Sequence, residues 1–255
     1  MGIIDSHAHY ENPRYDEDRD ALLSSMPAMG VDAIINVAWD VASSHKAIEL
    51  AETYPFIYAT VGVHPHEAKT LTEAGLETLK NLCAHPKVVG FGEIGLDYHY
   101  DFSPRDVQRH WFKRQLALAY ELGMPVAIHS READEDVFDV IESSPVRRGV
   151  LHSFSGNADL AQAYVDLGFY LGISGVVTFD KTGKLQAVIE KIPLDKLLLE
   201  TDAPYLTPKP FRGKRNESPY LSYVADAIAA IKGIDAEAVK KQTATNVKHL
   251  FNKIH

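Results

Sequence analysis

Residues 104–131, PRDVQRHWFKRQLALAYELGMPVAIHSR, contain one complete unit of the pattern that repeats along this chain. The apolar side chains recur at the spacing of one helix face, at Val107, Trp111, Leu118 and Leu122. Gly123 then has the position of the left-handed residue that ends many helices. The short apolar run 126–128 follows, and three polar residues close the unit. The stretch therefore predicts a helix, a turn and a strand that ends in polar side chains.

Similar apolar runs alternate with amphipathic segments from one end of the chain to the other. We predict eight strands, at residues 3–5, 33–37, 57–61, 88–91, 126–128, 150–151, 170–173 and 197–199. The runs are almost continuously apolar, which is typical of parallel strands covered by helices. Gly30 and Gly168 precede two further strands and are predicted to end helices as Gly123 does.

The number of these units favours a closed barrel over an open, doubly wound sheet. The chain has 255 residues, close to the ~250 of a typical (β/α)₈ barrel. No composition shift or flexible linker divides it. We predict an α/β fold, a single (β/α)8 TIM barrel over residues 1–255, with a long loop at 207–219. An extra C-terminal helix at about 235–251 is expected to pack outside the barrel.

Composition and charge limit the classes of function. The formal net charge of −9 argues against a surface that holds nucleic acid non-specifically, so any polyanion must be gripped locally. No run approaches the ~20 apolar residues of a membrane helix, and the N-terminus lacks the pattern of a secretion signal. Cys83 is the one cysteine. We expect a soluble, cytoplasmic protein without a membrane partner, and nothing indicates an obligate protein partner.

Histidines and carboxylates follow the predicted strands at equivalent positions, where a TIM barrel places its active site. Side chains two residues apart on a strand point the same way, which brings His7 and His9 together. Asp5 lies below His7 as a possible orienting acceptor. The candidate ligands number six: His7, His9, Glu93, His129, His152 and Asp202. One tetrahedral zinc needs three or four ligands, so six, with a carboxylate able to bridge, predict a two-metal site.

Six motifs in this order resemble those of the TatD family of metal-dependent deoxyribonucleases, in the amidohydrolase superfamily. They are HAH at 7–9, GVHP at 62–65, GEIGLDY at 92–98, HSR at 129–131, HSFSG at 152–156 and ETDAPYL at 200–206. The resemblance spans residues 5–206 and implies a metal-dependent hydrolase, usually described as a DNase. It implies that the same six residues are ligands and that His64 lies near the substrate. Ser153, where many relatives have cysteine, is a small departure at a position that is not a necessary ligand.

For several polar residues, the sequence allows both a functional and a structural role. His64 is either a substrate contact or a turn histidine beside a proline. Glu200 either hydrogen-bonds the substrate or a metal ligand, or is a buried structural carboxylate. Arg131 either binds substrate or pairs with one of the acidic residues that follow it. The remaining histidines singled out have no position in the repeat and are expected to be structural or exposed: His66, His85, His99, His110, His249 and His255.

The reaction that these residues favour is hydrolysis of DNA phosphodiester bonds by a water activated between two divalent ions. Glu93, Asp202 and Glu200 are the catalytic candidates, with Asp202 orienting or deprotonating the water. Imidazoles suit zinc and carboxylates admit magnesium or manganese, so the metal is Mg, Mn or Zn. The alternatives are ester or amide hydrolysis, such as D-aminoacyl-tRNA deacylation, and a binding protein without activity. The full set of ligand-type residues argues against the second.

The segment KPFRGKR at 209–215 concentrates positive charge just after the eighth strand. We predict that this loop overhangs the barrel mouth and grips phosphates of the DNA substrate through Arg212, Lys214 and Arg215. Phe211 would then be available to stack on a base. The alternative is a solvated surface loop.

Overall fold

Eight parallel strands form the inner wall of the molecule in the computed structural model, which describes residues 2–254. They are β1 (Ile3–Ala8), β2 (Val31–Asn36), β3 (Ile57–Val61), β4 (Val88–Asp97), β5 (Val126–Arg131), β6 (Gly149–Leu151), β7 (Tyr170–Ile173) and β8 (Leu197–Leu199). Each strand pairs with the next in chain order. A parallel bridge between Ala8 and Ala203 joins the first strand to the segment after the last one. The predicted barrel is confirmed.

Helices cover the outside of this barrel and follow the strands. They are α1 (Arg19–Ser25), α2 (Val41–Thr53), α3 (Glu73–Leu82), α4 (Arg105–Glu121), α5 (Asp134–Glu142), α6 (Ala158–Asp166), α7 (Lys184–Lys191), α8 (Leu221–Lys232) and α9 (Ala236–Leu250). Gly30, Gly123 and Gly168 have φ angles of 83°, 63° and 97°. The three predicted left-handed glycines are therefore confirmed. Within residues 2–254, no helix is both long and apolar enough to cross a membrane.

The C-terminal helix α9 packs across the N-terminal end of the barrel. Val247 and Phe251 join a buried cluster with apolar side chains of several strands. Asn246 donates a hydrogen bond to the carbonyl of Leu197 at the start of β8, and Lys253 donates one to the carbonyl of Val88 at the start of β4. The predicted helix is present, and its apolar face closes the bottom of the barrel, leaving the opposite end open.

Strand β4 is longer than its apolar run predicted. Pairing with β5 continues through Gly95 and His129 to Asp97 and Arg131, so the backbone stays extended beyond Phe91, where the apolar run ends. The consequence is functional, because the polar end of β4 is held by the sheet and projects into the open end of the barrel.

Candidate metal centre

A cavity of about 510 Å³ opens at the C-terminal end of the barrel. Its lining includes five of the six predicted ligands, namely His9, Glu93, His129, His152 and Asp202, together with Asn12, Trp39, His64, His66, Glu67, Tyr100, Arg131, Tyr205 and Leu206. The sixth, His7, lies directly beneath it and is fully buried. The predicted convergence of the strand ends on one pocket is therefore observed.

His7 and His9 direct their Nε2 atoms at one another across 3.2 Å. His9 Nε2 also lies 3.3 Å from Asp202 Oδ1. The other ring nitrogen of His9, Nδ1, is 2.6 Å from the carbonyl oxygen of Val37, which fixes the orientation of the ring. The backbone N–H of Asp202 donates to the carbonyl of His7. The β1 and β8 sides of the barrel are thus joined at this group of donors.

Glu93 lies between two groups of histidines, and its two oxygens face different groups. Oε2 is 3.3 Å from His7 Nε2 and 4.0 Å from His9 Nε2. Oε1 is 2.7 Å from His129 Nδ1 and 3.7 Å from His64 Nε2. A carboxylate with one oxygen toward each of two imidazole groups has the arrangement of a bridging ligand.

Asp97, to which the sequence analysis assigned no role, contacts the His129 ring on the side away from Glu93. His129 Nε2 is 3.2 Å from Asp97 Oδ2, and the same oxygen is 2.8 Å from His66 Nε2. The other oxygen of Asp97 accepts the backbone N–H groups of His99 and Tyr100. Asp97 therefore orients two imidazoles at once, and His66, expected to be structural or exposed, lines the pocket.

Glu200 is behind His152 and does not line the pocket. Its Oε1 is 2.9 Å from His152 Nδ1 and accepts the backbone N–H of Ser153. His152 Nε2 consequently faces the centre, 3.7 Å from Asp202 Oδ1. A side chain at Gly172 would collide with the Glu200 carboxylate. Glu200 therefore contacts His152, one of the predicted ligands, and does not reach the open pocket itself; its catalytic role stays a prediction.

Asp5 does not contact the His7 imidazole as predicted. Its carboxylate accepts the backbone N–H of His7, and it also accepts hydrogen bonds from Thr201 and Ser218. His7 Nδ1 is buried and has no hydrogen-bond partner among residues 2–254. Asp5 therefore joins β1 to the β8 side of the barrel through the backbone and through hydroxyl groups.

Charge compensation within the centre controls its ionisation. Burial alone would raise the pKa of Glu93, but the neighbouring His152 imidazole and the hydrogen bond with His129 hold it well below the usual value. Asp202 behaves in the same way: burial raises its pKa, and His152 and His9 lower it overall.

The histidines of the centre divide into two classes. Burial and the neighbouring His129 lower the pKa of His64, which leaves a neutral ring. Burial opposes protonation of His9 as well, but the hydrogen bond to Asp202 raises its pKa to about 9. Positive charge on the imidazoles therefore balances the buried carboxylates.

The donor set fits divalent metal ions. Three groups of candidate ligand atoms lie within 4.8 Å of one another: His7 with Glu93 and His152, His7 with His9 and Asp202, and His64 with Glu93 and His129. Two nitrogens bound to one zinc at about 2.0–2.1 Å are about 3.0–3.4 Å apart, which matches the His7–His9 separation. Imidazole nitrogens and carboxylate oxygens suit zinc, manganese and magnesium. His64, predicted as a substrate contact, is close enough to be a ligand as well.

The remaining predicted residues lie at or beyond the rim. Arg131 lines the pocket, and its guanidinium lies over the Tyr100 ring.

The side chains of the 209–215 loop lie outside the pocket lining. Arg212 lies 3.9 Å from the centroid of the Phe179 ring, and neither it nor Lys214 lines the pocket. Phe211 is stacked on Tyr220 through one face, with ring centroids 4.4 Å apart. Arg215 pairs with Asp18 and Glu217, and His255 lies outside the described residues.

Two signals for the missed residues are present in the sequence. His64 and His66 have the same His-x-His spacing as His7 and His9. They lie at the start of a short 3₁₀ helix, on either side of Pro65, where strand geometry does not apply. Asp97 ends the GEIGLD motif and is four residues after Glu93 on a strand, so the two side chains project to the same side.

Comparisons with known proteins agree with this centre. A family model described as TatD related DNase matches residues 4–252. The chain is 43% identical to the uncharacterized metal-dependent hydrolase YabD of Bacillus subtilis, with 98% of each chain covered. It is 38% identical to the 3′-5′ ssDNA/RNA exonuclease TatD of Escherichia fergusonii, again over 98% of each.

The fold comparison leads to the same family. The crystal structure of YJJV, a TatD homolog from Escherichia coli K12, superimposes with a TM-score of 0.92 at 33% identity and covers 98% of both chains. The region that the family model matches, residues 4–252, includes every histidine and carboxylate of the centre. The chain therefore belongs to the TatD family and is a metal-dependent hydrolase.

Proposed function

We propose that the chain hydrolyses phosphodiester bonds in DNA with two divalent ions at the barrel mouth. The ligands in this proposal are His7, His9, Glu93, His129, His152 and Asp202. The observation that carries it is the position of Glu93, whose two oxygens face two separate imidazole groups. The names of several relatives, which describe exonucleases acting on single-stranded DNA and RNA, support nucleic acid as the substrate.

Divalent ions at such a centre lower the pKa of a water and neutralise charge on the phosphate oxygens. The chain itself supplies position and proton acceptance. Asp202, held ionised by the imidazoles of His152 and His9, orients the attacking water and accepts its proton. His64, held neutral, contacts the substrate or an ion through Nε2, and Arg131 contacts a phosphate at the rim.

The loop at residues 209–215 has a peripheral part in this proposal. Arg212 and Lys214 are exposed and have no carboxylate partner within residues 2–254, so they are free to contact a strand that extends beyond the pocket. Cys83 is buried and unpaired, which is compatible with the cytoplasmic location that we propose.

The experiment that tests this function compares substrates on one preparation. Metal-depleted protein is reconstituted separately with Mg²⁺, Mn²⁺ and Zn²⁺ and given single-stranded DNA, duplex DNA, RNA and a D-aminoacyl-tRNA. We expect hydrolysis of DNA that depends on the ion and disappears in the Glu93→Gln variant. The relatives' names do not favour the deacylase alternative, and release of the amino acid without strand cleavage would overturn the proposal.

A further inference from the structure

Exposed aromatic side chains gather around the metal pocket. Three of the large apolar side chains that remain exposed are at its mouth: Tyr100 is 47% exposed, Phe102 54% and Tyr205 43%. Tyr100 and Tyr205 line the pocket, and Phe102 is stacked on Tyr100 with ring centroids 5.1 Å apart. Exposed aromatic surface is unfavourable in water, so its concentration at one opening indicates a binding surface.

Two of these aromatic side chains, Tyr100 and Tyr205, each have an arginine beside them. The Arg131 guanidinium is 4.8 Å from the centroid of the Tyr100 ring, and that of Arg14 is 5.1 Å from the centroid of the Tyr205 ring. Both arginines are exposed. Guanidinium groups over aromatic faces are attracted by the ring quadrupole, which holds the positive charge at the surface.

The two arginines differ from the others in having free donors. Within residues 2–254, neither the Arg14 nor the Arg131 side chain makes a hydrogen bond or an ion pair. The other arginine side chains each bond a carboxylate or a carbonyl, a set that comprises Arg19, Arg105, Arg109, Arg114, Arg147, Arg148, Arg212 and Arg215. Five N–H donors on each of two guanidiniums are therefore available to an anionic ligand at this opening.

The two pairs are on opposite sides of the barrel. Tyr100 and Phe102 lie in the loop after β4, and Arg131 ends β5. Arg14 follows β1, and Tyr205 follows β8. Because the strands are arranged in chain order around the wall, the β4/β5 junction faces the β8/β1 junction across the mouth. The metal ligands lie between the two pairs.

We propose that these pairs hold a single-stranded polynucleotide across the metal centre. The Tyr100–Arg131 pair, extended by Phe102, binds the nucleotide on one side of the scissile phosphodiester, and the Tyr205–Arg14 pair binds the nucleotide on the other side. The rings stack on bases and the guanidiniums bind the flanking phosphates. This inference rests on the proposed nuclease function and adds its substrate-positioning residues.

The chemistry of the rim selects a single strand over a duplex. Bases in a duplex are stacked on their neighbours and have no free face for Tyr100 or Tyr205, whereas an unpaired base has two. Aromatic stacking tolerates any base, so the rim predicts little sequence preference. Tyr205 also accepts a hydrogen bond from the Asn12 amide through its hydroxyl group, which fixes the ring at the pocket edge.

The test compares a single-stranded oligothymidylate with an abasic oligomer of equal length, which has the phosphates and lacks the bases. Hydrolysis is measured with the metal-reconstituted full chain, and binding by fluorescence anisotropy in Mg²⁺. We expect Tyr100→Leu and Tyr205→Leu each to raise KM and Kd for oligothymidylate about 5- to 150-fold, without a comparable change for the abasic oligomer. Tyr205→Phe, which keeps the ring and loses only the hydroxyl contact with Asn12, should lose less affinity for oligothymidylate than Tyr205→Leu.

The arginine variants should affect binding differently from the tyrosine variants. Arg14→Gln and Arg131→Gln should weaken binding of both oligomers, and each should flatten the dependence of log affinity on log salt by about 0.7. Tyr120→Leu and Arg114→Gln are matched controls, because these side chains are exposed and lie outside the metal pocket. Neither control should change KM for either oligomer.

Two results overturn the inference: unchanged affinity for oligothymidylate in the tyrosine variants, or an equal loss for both oligomers. These outcomes are distinct from failure of the proposed function. A wild-type protein that prefers oligothymidylate over the abasic oligomer but cleaves neither would support the strand-binding surface and overturn the nuclease proposal. If the wild type cleaves DNA and the tyrosine variants cleave it equally well, the nuclease proposal is supported and the strand-binding surface is overturned.

Discussion

Asp97→Asn should weaken metal binding without removing a proposed ligand. In the structure, Asp97 Oδ2 lies 3.2 Å from His129 Nε2, so the charged oxygen keeps a proton on this nitrogen and directs the lone pair of Nδ1 at the centre. The amide of an asparagine would direct N–H donors at the same nitrogen, because its oxygen remains bonded to the backbone N–H groups of His99 and Tyr100. His129 Nε2 must then accept, and the proton moves to Nδ1.

This change of tautomer takes the lone pair away from the ion. Loss of a carboxylate that orients a metal-bound histidine generally lowers affinity about 10- to 100-fold. We expect a loss of this size at one of the two ions, because Asp97 contacts His129 and not His7 or His9. Stoichiometry should return to the wild-type value at saturating metal.

Titration of metal-depleted protein with Mn²⁺, followed by calorimetry, measures both affinities. Asp101→Asn is the matched control, since Asp101 is in the following loop and makes an exposed ion pair with Arg105, a contact that typically contributes about 1 kcal/mol or less. Circular dichroism shows whether both variants are folded. Equal Mn²⁺ affinities for a folded Asp97→Asn variant and the wild type would refute the orienting role.

Four further results are expected. Glu93→Gln should abolish turnover and bind fewer than two ions, with an unchanged circular dichroism spectrum; an active variant would contradict the bridging role. Removing the ions with a chelator should lower Tm by about 5–11 °C for one site previously held at a hundred times its Kd, and scanning calorimetry with and without Mg²⁺ measures this shift. Phe251→Ala should cost about 3–5 kcal/mol of stability and lower Tm by about 6–20 °C, with kcat intact below the transition; a loss of kcat would show that the bottom of the barrel affects the site. Neutralising Arg212 and Lys214 together should weaken binding of a long single strand and flatten its salt dependence while a trinucleotide is bound normally, and equal effects on both would place these side chains at the pocket itself.

Much of the fold was predictable because the barrel strands are buried on both faces. Apolar runs locate all eight strands, three of them preceded by a helix-ending glycine, and their order fixes which ends converge. The extent of β4 was not predictable, since its second half departs from the continuous apolar run that was used to predict the buried strands. The position of α9 was not predictable either, because an amphipathic helix shows which face is buried and not what covers it.

The candidate site also has a part that the sequence predicted and a part that it did not. The proximity of His7 and His9 follows from the two-residue repeat of a strand, and the 3.2 Å between their Nε2 atoms agrees with that prediction. His66 was missed because it lies beyond Pro65, where the chain turns into a 3₁₀ helix and the strand repeat no longer applies. The contact between Asp97 and His129 depends on the register of β4 against β5, which the local sequence does not specify.

The charge of the whole chain is a poor guide to what its active centre binds. The formal charge is −9, yet the buried carboxylates Glu93, Asp97, Glu200 and Asp202 each lie within 4 Å of an imidazole. The negative charge of these four carboxylates is therefore compensated locally, before any ion binds. Exposed carboxylates farther away than the Debye length of about 8 Å act only weakly on a phosphate at the mouth. At the rim, such a phosphate lies near the free guanidiniums of Arg14 and Arg131. An acidic protein can therefore bind a polyanion at this opening and repel it over the rest of its surface.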